Sequence, residues 1–194
     1  MRSAAGTALL AVAGTVAEAT AAAAAGATFV DLGPADQAGR AGQAAITALR
    51  AAHPGLLICA AGEQADLVRD QATALRTGAI LICDGLASAE QAVTRAGLPR
   101  ARLLVEMGPA GVLRARAAGF AVLVDLRDGP AAAPAPGAAA AGPPPGALAV
   151  AAICAWLGVT MVRTSYPPQV RRTLDMADSI RGGRLPARTV RGLA

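Results

Sequence analysis

The sequence predicts a parallel α/β fold, built as a shortened (β/α) barrel. Short aliphatic runs alternate along the chain with longer segments of helix-forming chemistry. The aliphatic runs are continuous rather than alternating in polarity, as in parallel strands buried on both faces. Glycine stands where most of the intervening segments should end, as it does at helix C-termini. Strand and helix repeated about seven times are typical of a parallel sheet, either closed as a barrel or open.

The predicted strands are seven runs of four to six residues, bounded by Gly, Pro or Asp: 9–12, 28–31, 56–60, 79–84, 103–106, 121–126 and 160–163. The predicted helices lie between and after them: 15–25, 37–52, 64–77, 88–96, 109–118, 147–157 and 167–181. Thr15 followed by Glu18 has the spacing of a capping box, and Ser88 is placed to cap the fourth helix.

Two further features define the architecture. No Gly-x-Gly-x-x-Gly follows the first strand, so an open nucleotide-binding sheet lacks its fingerprint. Even spacing favours the barrel, and seven units where a barrel has eight imply a deleted unit or an unrecognised strand.

Residues 129–146 contain only Gly, Pro and Ala and predict a disordered linker. We therefore predict one barrel domain over 1–194, with this linker and a basic tail from about residue 182.

Composition excludes several mechanisms. The chain has 53 alanines and 18 arginines but no lysine or asparagine. A Lys nucleophile and a phosphate-binding P-loop Lys are therefore impossible. Three cysteines without metal-ligand spacing favour a reducing compartment, so we expect a cytoplasmic protein.

The net charge of +5 is concentrated at the C-terminal end. Residues 163–194 carry seven arginines and two aspartates, whereas 1–162 carry eleven charges of each sign. A basic tail can attract an anionic partner such as nucleic acid or acidic lipid. With one Trp, one Tyr and two Phe there is no aromatic set for stacking bases. No window of about 18 residues has membrane-spanning quality. We expect neither nucleic acid nor a membrane as the main partner.

Chemistry in a parallel barrel resides at the carboxyl ends of the strands. The predicted strands end in four acidic residues, two cysteines and one arginine: Asp31, Cys59, Cys83 with Asp84, Glu106, Asp125 and Arg163. Such a ring could bind a metal or a cationic heterocycle, but aspartates in these loops are also common helix caps. The only histidine, His53, belongs to the opposite end of the barrel. Cys59 and Cys83 could approach each other or act as hydrophobic filler.

Several motifs, most of them near the C-terminus, resemble a known family. The run Ala-Ala-Ile-Cys-Ala-Trp-Leu-Gly at 151–158, a strand ending in Arg163 and Val-Arg-Arg-Thr-Leu-Asp-Met at 170–176 are similar to the last βα unit of dihydropteroate synthase. The C-terminal tail resembles that of actinobacterial members. Residues 26–33 are similar to the family's second strand, 78–84 to its fourth, and 96–108 to the approach to its sixth. Only the C-terminal quarter is specific.

The resemblance implies a (β/α) barrel that condenses a pterin pyrophosphate with p-aminobenzoate in folate synthesis. It assigns five vestigial substrate-binding positions. Cys83 stands in place of the pterin-binding Asn, with the neighbouring Asp84 kept. Glu106 replaces the Asp of the sixth strand. Arg163 survives from the final Arg-x-His, and Ser165 stands at the His position.

Other catalytic motifs of the family are missing. Val12-Ala13-Gly14 leaves no room for the magnesium-associated loop, and Ala60-Ala61 stand where the family has Asp-Thr. Leu126-Arg127-Asp128 replaces Ser-Arg-Lys, and the stretch around Leu86 is too short for the fifth βα unit, which would account for seven strands.

The resemblance therefore implies a protein of folate biosynthesis that has lost catalysis. We predict no catalytic residue, and Mg²⁺ only if activity is retained. The expected partners are a pterin-like small molecule and either a second copy or an active relative, paired through the C-terminal helices. The alternatives are an active or altered pterin-binding transferase and anionic-partner binding through the Arg-rich tail.

Overall fold

The computed structural model describes residues 6–33, 35–127 and 142–183, and in them eight parallel strands close into a barrel in sequence order. The strands are β1 (Ala8–Val12), β2 (Phe29–Asp31), β3 (Leu57–Cys59), β4 (Leu67–Val68), β5 (Ile80–Asp84), β6 (Leu103–Glu106), β7 (Ala121–Asp125) and β8 (Met161–Thr164). Each pairs in parallel with its neighbours, and β8 closes the ring on β1. The predicted fold class is confirmed.

The barrel is surrounded by helices that follow or precede the strands. Those in the described residues are α1 (Val16–Ala24), α2 (Ala35–Ala52), α3 (Gln71–Thr77), α4 (Gly85–Ala96), α5 (Val112–Ala117), α6 (Pro145–Leu157) and α7 (Pro167–Ile180). The capping box predicted at the first helix is present, because Thr15 Oγ1 accepts from the Glu18 N–H at 3.2 Å. The cap predicted at Ser88 is wrong: α4 starts at Gly85, and Asp84 is its N-cap.

The strand number was predicted one too low. The strand missed is β4, which lies inside the segment predicted as a helix over 64–77. The helix there is shorter, because the Asp70 carboxylate caps it by accepting from the Thr73 N–H at 2.7 Å, so that α3 starts at Gln71. The predicted deletion of a whole βα unit near Leu86 is therefore wrong. Residues 60–66, which link β3 to β4, contain no helix.

Each strand contributes one buried side chain to the packed interior of the barrel, against which four partly buried side chains pack. This interior layer consists of Leu10, Phe29, Cys59, Leu67, Ile82, Leu104, Leu123 and Met161. Residues beside them in sequence, such as Leu9 and Cys83, belong to clusters that pack between the strands and the helices. Since side chains alternate between the two faces of a strand, the positions two residues beyond the interior layer also face inward.

Several predictions fall near or outside the described residues. Residues 128–141 and 184–194, which hold most of the predicted linker and basic tail, lie outside them. The linker prediction extended too far at its end, because Pro145 and Gly146 form the start of α6. Among the described residues, no helix combines the length and apolarity needed to cross a membrane.

Candidate functional site

The candidate site is the inward-facing layer directly above the barrel interior, at the carboxyl ends of the strands. It lies two residues beyond the interior layer on each strand, which places six charged side chains there: Asp31, Arg69, Asp84, Glu106, Asp125 and Arg163. The strand register supports this placement, because Asp84 pairs with Glu106 and Asp125 pairs with Arg163 on neighbouring strands. Four acidic side chains therefore share one layer with two arginines.

Arg163 stands at the centre of this layer. Its guanidinium forms an ion pair with Asp31, lies 3.2 Å from an Asp125 oxygen and lies 3.9 Å from a Glu106 oxygen. The side chains of Arg163, Asp31 and Asp125 are only 11%, 5% and 4% exposed. Removing the arginine would leave the buried Asp31 carboxylate without its ion-pair partner, which costs several kcal/mol in comparable sites. Arg163 is thus the countercharge of Asp31 and a second cation beside Asp125 and Glu106.

Arg69 is the second arginine of the layer and follows the missed strand β4. Its Nη1 donates to Glu106 Oε2 at 2.6 Å and to Asp84 Oδ1 at 3.2 Å. Burial lowers the pKa of Arg69, but the hydrogen bond and charge of Glu106 outweigh it, so the pKa lies above its ordinary value. Glu106 is therefore held between two guanidinium groups, one at each carboxylate oxygen.

Asp125 is held by a third arginine as well. Arg127 donates to both Asp125 oxygens, the shorter contact being 2.7 Å, and its backbone N–H donates to Oδ1 at 2.9 Å. Burial raises the pKa of Asp125, but the Arg127 hydrogen bonds and the charges of Arg127 and Arg163 together hold it below its usual range. The carboxylate is ionised at neutral pH and fully engaged.

A cavity of about 380 Å³ opens beside this layer. Its neutral wall comes from Cys59, Val68 and the helix-free residues 60–62, Ala-Ala-Gly. Its charged lining comes from Asp31, Asp70, Arg69 and Arg163. Burial, with a contribution from the charge of Asp31, raises the pKa of Cys59 to about 12, so the thiol is neutral and unreactive. The cavity is large enough for a small aromatic ligand.

The five residues assigned by the resemblance do not all meet in this site. Asp84, Glu106 and Arg163 lie in the charged layer, as described. Cys83 points outward into the helix-facing cluster and is buried there. Ser165 lies beyond the end of β8 and is exposed.

Sequence reasoning also missed Arg69 and misplaced the fourth strand. Counted around the barrel, β4 is the fourth strand and Arg69 follows it, whereas Cys83 and Asp84 end the fifth. The signal that could have found β4 is the cap at Asp70, because a helix capped there cannot include Leu67 and Val68.

Cys59 and Cys83 do not approach each other, because β4 separates their strands and their side chains lie on opposite faces. His53 contacts Thr20 Oγ1 at 3.2 Å after the end of α2, away from the strand ends.

The Mg²⁺ site that the resemblance associates with activity does not fit these residues. No group of three or more His, Cys, Asp or Glu side chains in the described part of the chain is arranged to hold a metal ion. The acidic residues of the layer are instead turned towards arginines, and a cation at Glu106 would meet two guanidinium groups first.

The fold is a (β/α) barrel, and its strand-end layer borders a cavity at the carboxyl-terminal mouth, the usual place for ligands in this architecture. The chain has the fold of the dihydropteroate synthases. The enzyme from Xanthomonas albilineans in complex with 7,8-dihydropteroate matches with a TM-score of 0.73 and 15% identity, over 92% of this chain and 95% of that one. The Yersinia pestis enzyme with a pterine-sulfa conjugate gives 0.70 and 14%, over 92% and 94%.

A third structure, Rv1207 of Mycobacterium tuberculosis, matches at a TM-score of 0.72 with 24% identity, covering 94% of each chain. In sequence, no protein-family model and no curated protein matches the chain. At these identities the comparisons define the fold, and the function has to be argued from the site.

Proposed function

We propose that this protein is a dihydropteroate synthase-like paralogue that takes a pterin-like small molecule at its barrel mouth without catalysing the condensation. The ion pairing of the charged layer carries the proposal. Glu106, Asp84, Asp31 and Asp125 are the acidic groups available to hold the polar edge of a pterin, and each contacts an arginine. The buried carboxylates of Asp31, Glu106 and Asp125 therefore have little accepting capacity left for a ligand, whereas Asp84, whose side chain is 88% exposed, keeps most of its own.

The missing family chemistry points the same way. The chain has no lysine or asparagine anywhere, so a pterin cannot meet the Asn and Lys that the resemblance assigns to its recognition. Each unpaired polar group of a buried ligand costs about 1–3 kcal/mol. Two or three such losses would reduce a micromolar affinity, about 8 kcal/mol, to the order of 1 mM.

The test is calorimetric titration with a pterin pyrophosphate, in the presence and absence of Mg²⁺, beside an assay for condensation with p-aminobenzoate. We expect weak binding, with a dissociation constant on the order of 1 mM, and no product. Micromolar binding that is lost in Glu106→Ala, together with turnover, would contradict the proposal and favour the altered transferase.

We also propose that the protein pairs through its C-terminal helices, with a second copy as the partner. Of the six large exposed hydrophobic side chains among the described residues, four lie on α6 and α7: Ile153, Trp156, Met176 and Ile180. The carboxyl ends of these two helices lie together, because the Arg181 guanidinium donates to the Ala155 carbonyl. One such patch suffices for a two-fold dimer, whose interface uses the same surface on both copies.

The three cysteines are free and buried, which supports a cytoplasmic location.

A further inference from the structure

The cavity borders only part of the charged layer. It is lined by Asp31, Asp70, Arg69 and Arg163, whereas Glu106, Asp84 and Asp125 do not line it. The ligand-accessible side of the layer is therefore the side of β2, β3 and β4, with Arg163 reaching across from β8. Glu106 on β6 and Asp125 on β7 lie behind the arginines, whereas Asp84 on β5 is 88% exposed outside the cavity.

The two carboxylates that border the cavity, Asp31 and Asp70, already accept hydrogen bonds from other groups of the protein. Asp31 pairs with Arg163 and accepts from the Gly33 N–H at 2.9 Å. Asp70 accepts from the Thr73 N–H at 2.7 Å and from its hydroxyl at 2.6 Å, as the cap of α3. The cavity consequently presents guanidinium donors and few acceptors.

Arg69 is the group that separates the cavity from Glu106. Its side chain lines the cavity while its Nη1 contacts Glu106 and Asp84 on the far side. The Arg69 side chain is 44% exposed, against 11% for Arg163. Displacing Arg69 therefore costs less than displacing the buried Arg163, whose removal would leave the buried Asp31 without its ion-pair partner.

We propose that Arg69 is a specificity-determining residue that masks Glu106 from the cavity and so selects against ligands with a donor edge. This rests on the proposed function, because it names what weakens pterin binding at that site. A pterin ring offers an amino group and a ring N–H on one edge, and these need an acceptor. With Arg69 in place, Glu106 Oε2 accepts from the Arg69 guanidinium. If Arg69 is removed, that oxygen becomes available to accept from a ligand in the cavity.

The experiment compares Arg69→Ala and the longer Arg69→Gln with the wild-type protein, using unsubstituted pterin as the probe. We expect the dissociation constant for pterin to fall about tenfold or more, equivalent to about 1.4 kcal/mol. Benzoate, which only accepts hydrogen bonds, should gain nothing. The double variant Arg69→Ala/Glu106→Ala should lose the gain, which assigns it to Glu106.

The matched control is Arg76→Ala, which removes an exposed arginine paired with Glu63 at 3.1 Å outside the cavity lining. It should leave pterin binding unchanged, and circular dichroism and thermal unfolding should show every variant folded. Weaker pterin binding in both Arg69 variants would overturn the masking, since Arg69 would then contact the ligand directly. If wild type binds pterin measurably and the Arg69 variants bind it equally well, the masking by Arg69 is overturned but the proposed function is not. Absence of binding in wild type and all variants would overturn both this inference and the proposed function.

Discussion

Among single residues, Arg163 is the buried cation of the acidic layer in a chain that has no lysine. Its guanidinium has several donors in a planar fork and contacts Asp31, Asp125 and Glu106 from one position. An ammonium group would act as one compact charge and could not reach three carboxylates at different strand ends with the same geometry. One buried guanidinium thus lies within ion-pairing distance of carboxylates from three different strands.

Asp125 gives a prediction about acid stability. Because its pKa is depressed in the folded protein, its ionised form stabilises the fold above its unfolded-state pKa of about 4. That contribution is lost as the pH falls through the lower folded-state pKa. We expect Asp125→Asn to be destabilised by about 1–3 kcal/mol at pH 7 and the difference to shrink towards pH 2–3.

Urea unfolding of both proteins between pH 2 and 7 measures this. Glu63→Gln is the control, because Glu63 is exposed and should give parallel curves. A constant difference between wild type and Asp125→Asn at all pH values would contradict the assignment.

Among the elements, the link from β3 to β4 departs most from a regular (β/α) barrel, and it also lines the candidate site. A crossover between parallel strands usually needs a helix, yet residues 60–66 make it without one. Asp66 stabilises this link, because its Oδ2 accepts from the Ile58 N–H at 2.8 Å and from Arg50 at 3.0 Å. The same short link forms the neutral wall of the cavity.

Asp66→Ala should therefore destabilise the protein more than an ordinary surface change. The Ile58 N–H would lose its side-chain acceptor beside a strand, which costs about 1–3 kcal/mol when the donor stays buried. Chemical denaturation measures the difference. Glu63→Ala, in the same link and paired only with exposed Arg76, should change stability by about 0.5 kcal/mol or less. Equal effects of the two changes would mean that Asp66 does not hold the link.

For the whole molecule, the proposed dimer is tested at the α6 and α7 patch. Trp156 is 61% exposed, and replacing it with Glu places a charge in the centre of the apolar surface. We expect the wild-type protein to sediment as a dimer and Trp156→Glu as a monomer, because an unpaired buried charge disfavours association.

Leu75→Glu serves as the control on the opposite side of the barrel, since Leu75 lies on α3 and is 48% exposed. It should leave the oligomeric state unchanged. A monomeric wild-type protein at tens of micromolar would rule out the proposed pairing.

Periodicity by itself predicted a parallel α/β fold, seven of its eight strands and the acidic strand ends, because continuous aliphatic runs and glycine stops are local signals. The choice of a barrel over an open sheet came from the even spacing and the missing nucleotide-binding fingerprint. The sequence did not predict the two-residue strand β4. Leu67 and Val68 are too few to show a strand or helix periodicity, and they lie between polar residues that are compatible with a helix. Only the barrel provides their partners, which are Cys59 and Ile80 for Leu67 and Leu81 for Val68.

The tertiary structure alone decided which strand-end residues meet. Sequence placed Cys83 and Asp84 together at the site, but alternation along β5 turns Cys83 outward and Asp84 inward. The sequence offered no reason to include Arg69 in the site, because its ion pair with Glu106 joins the ends of β4 and β6, which are two strands apart. Residue types fix what chemistry is available, whereas closure of the barrel fixes which charges neutralise each other and which remain for a ligand.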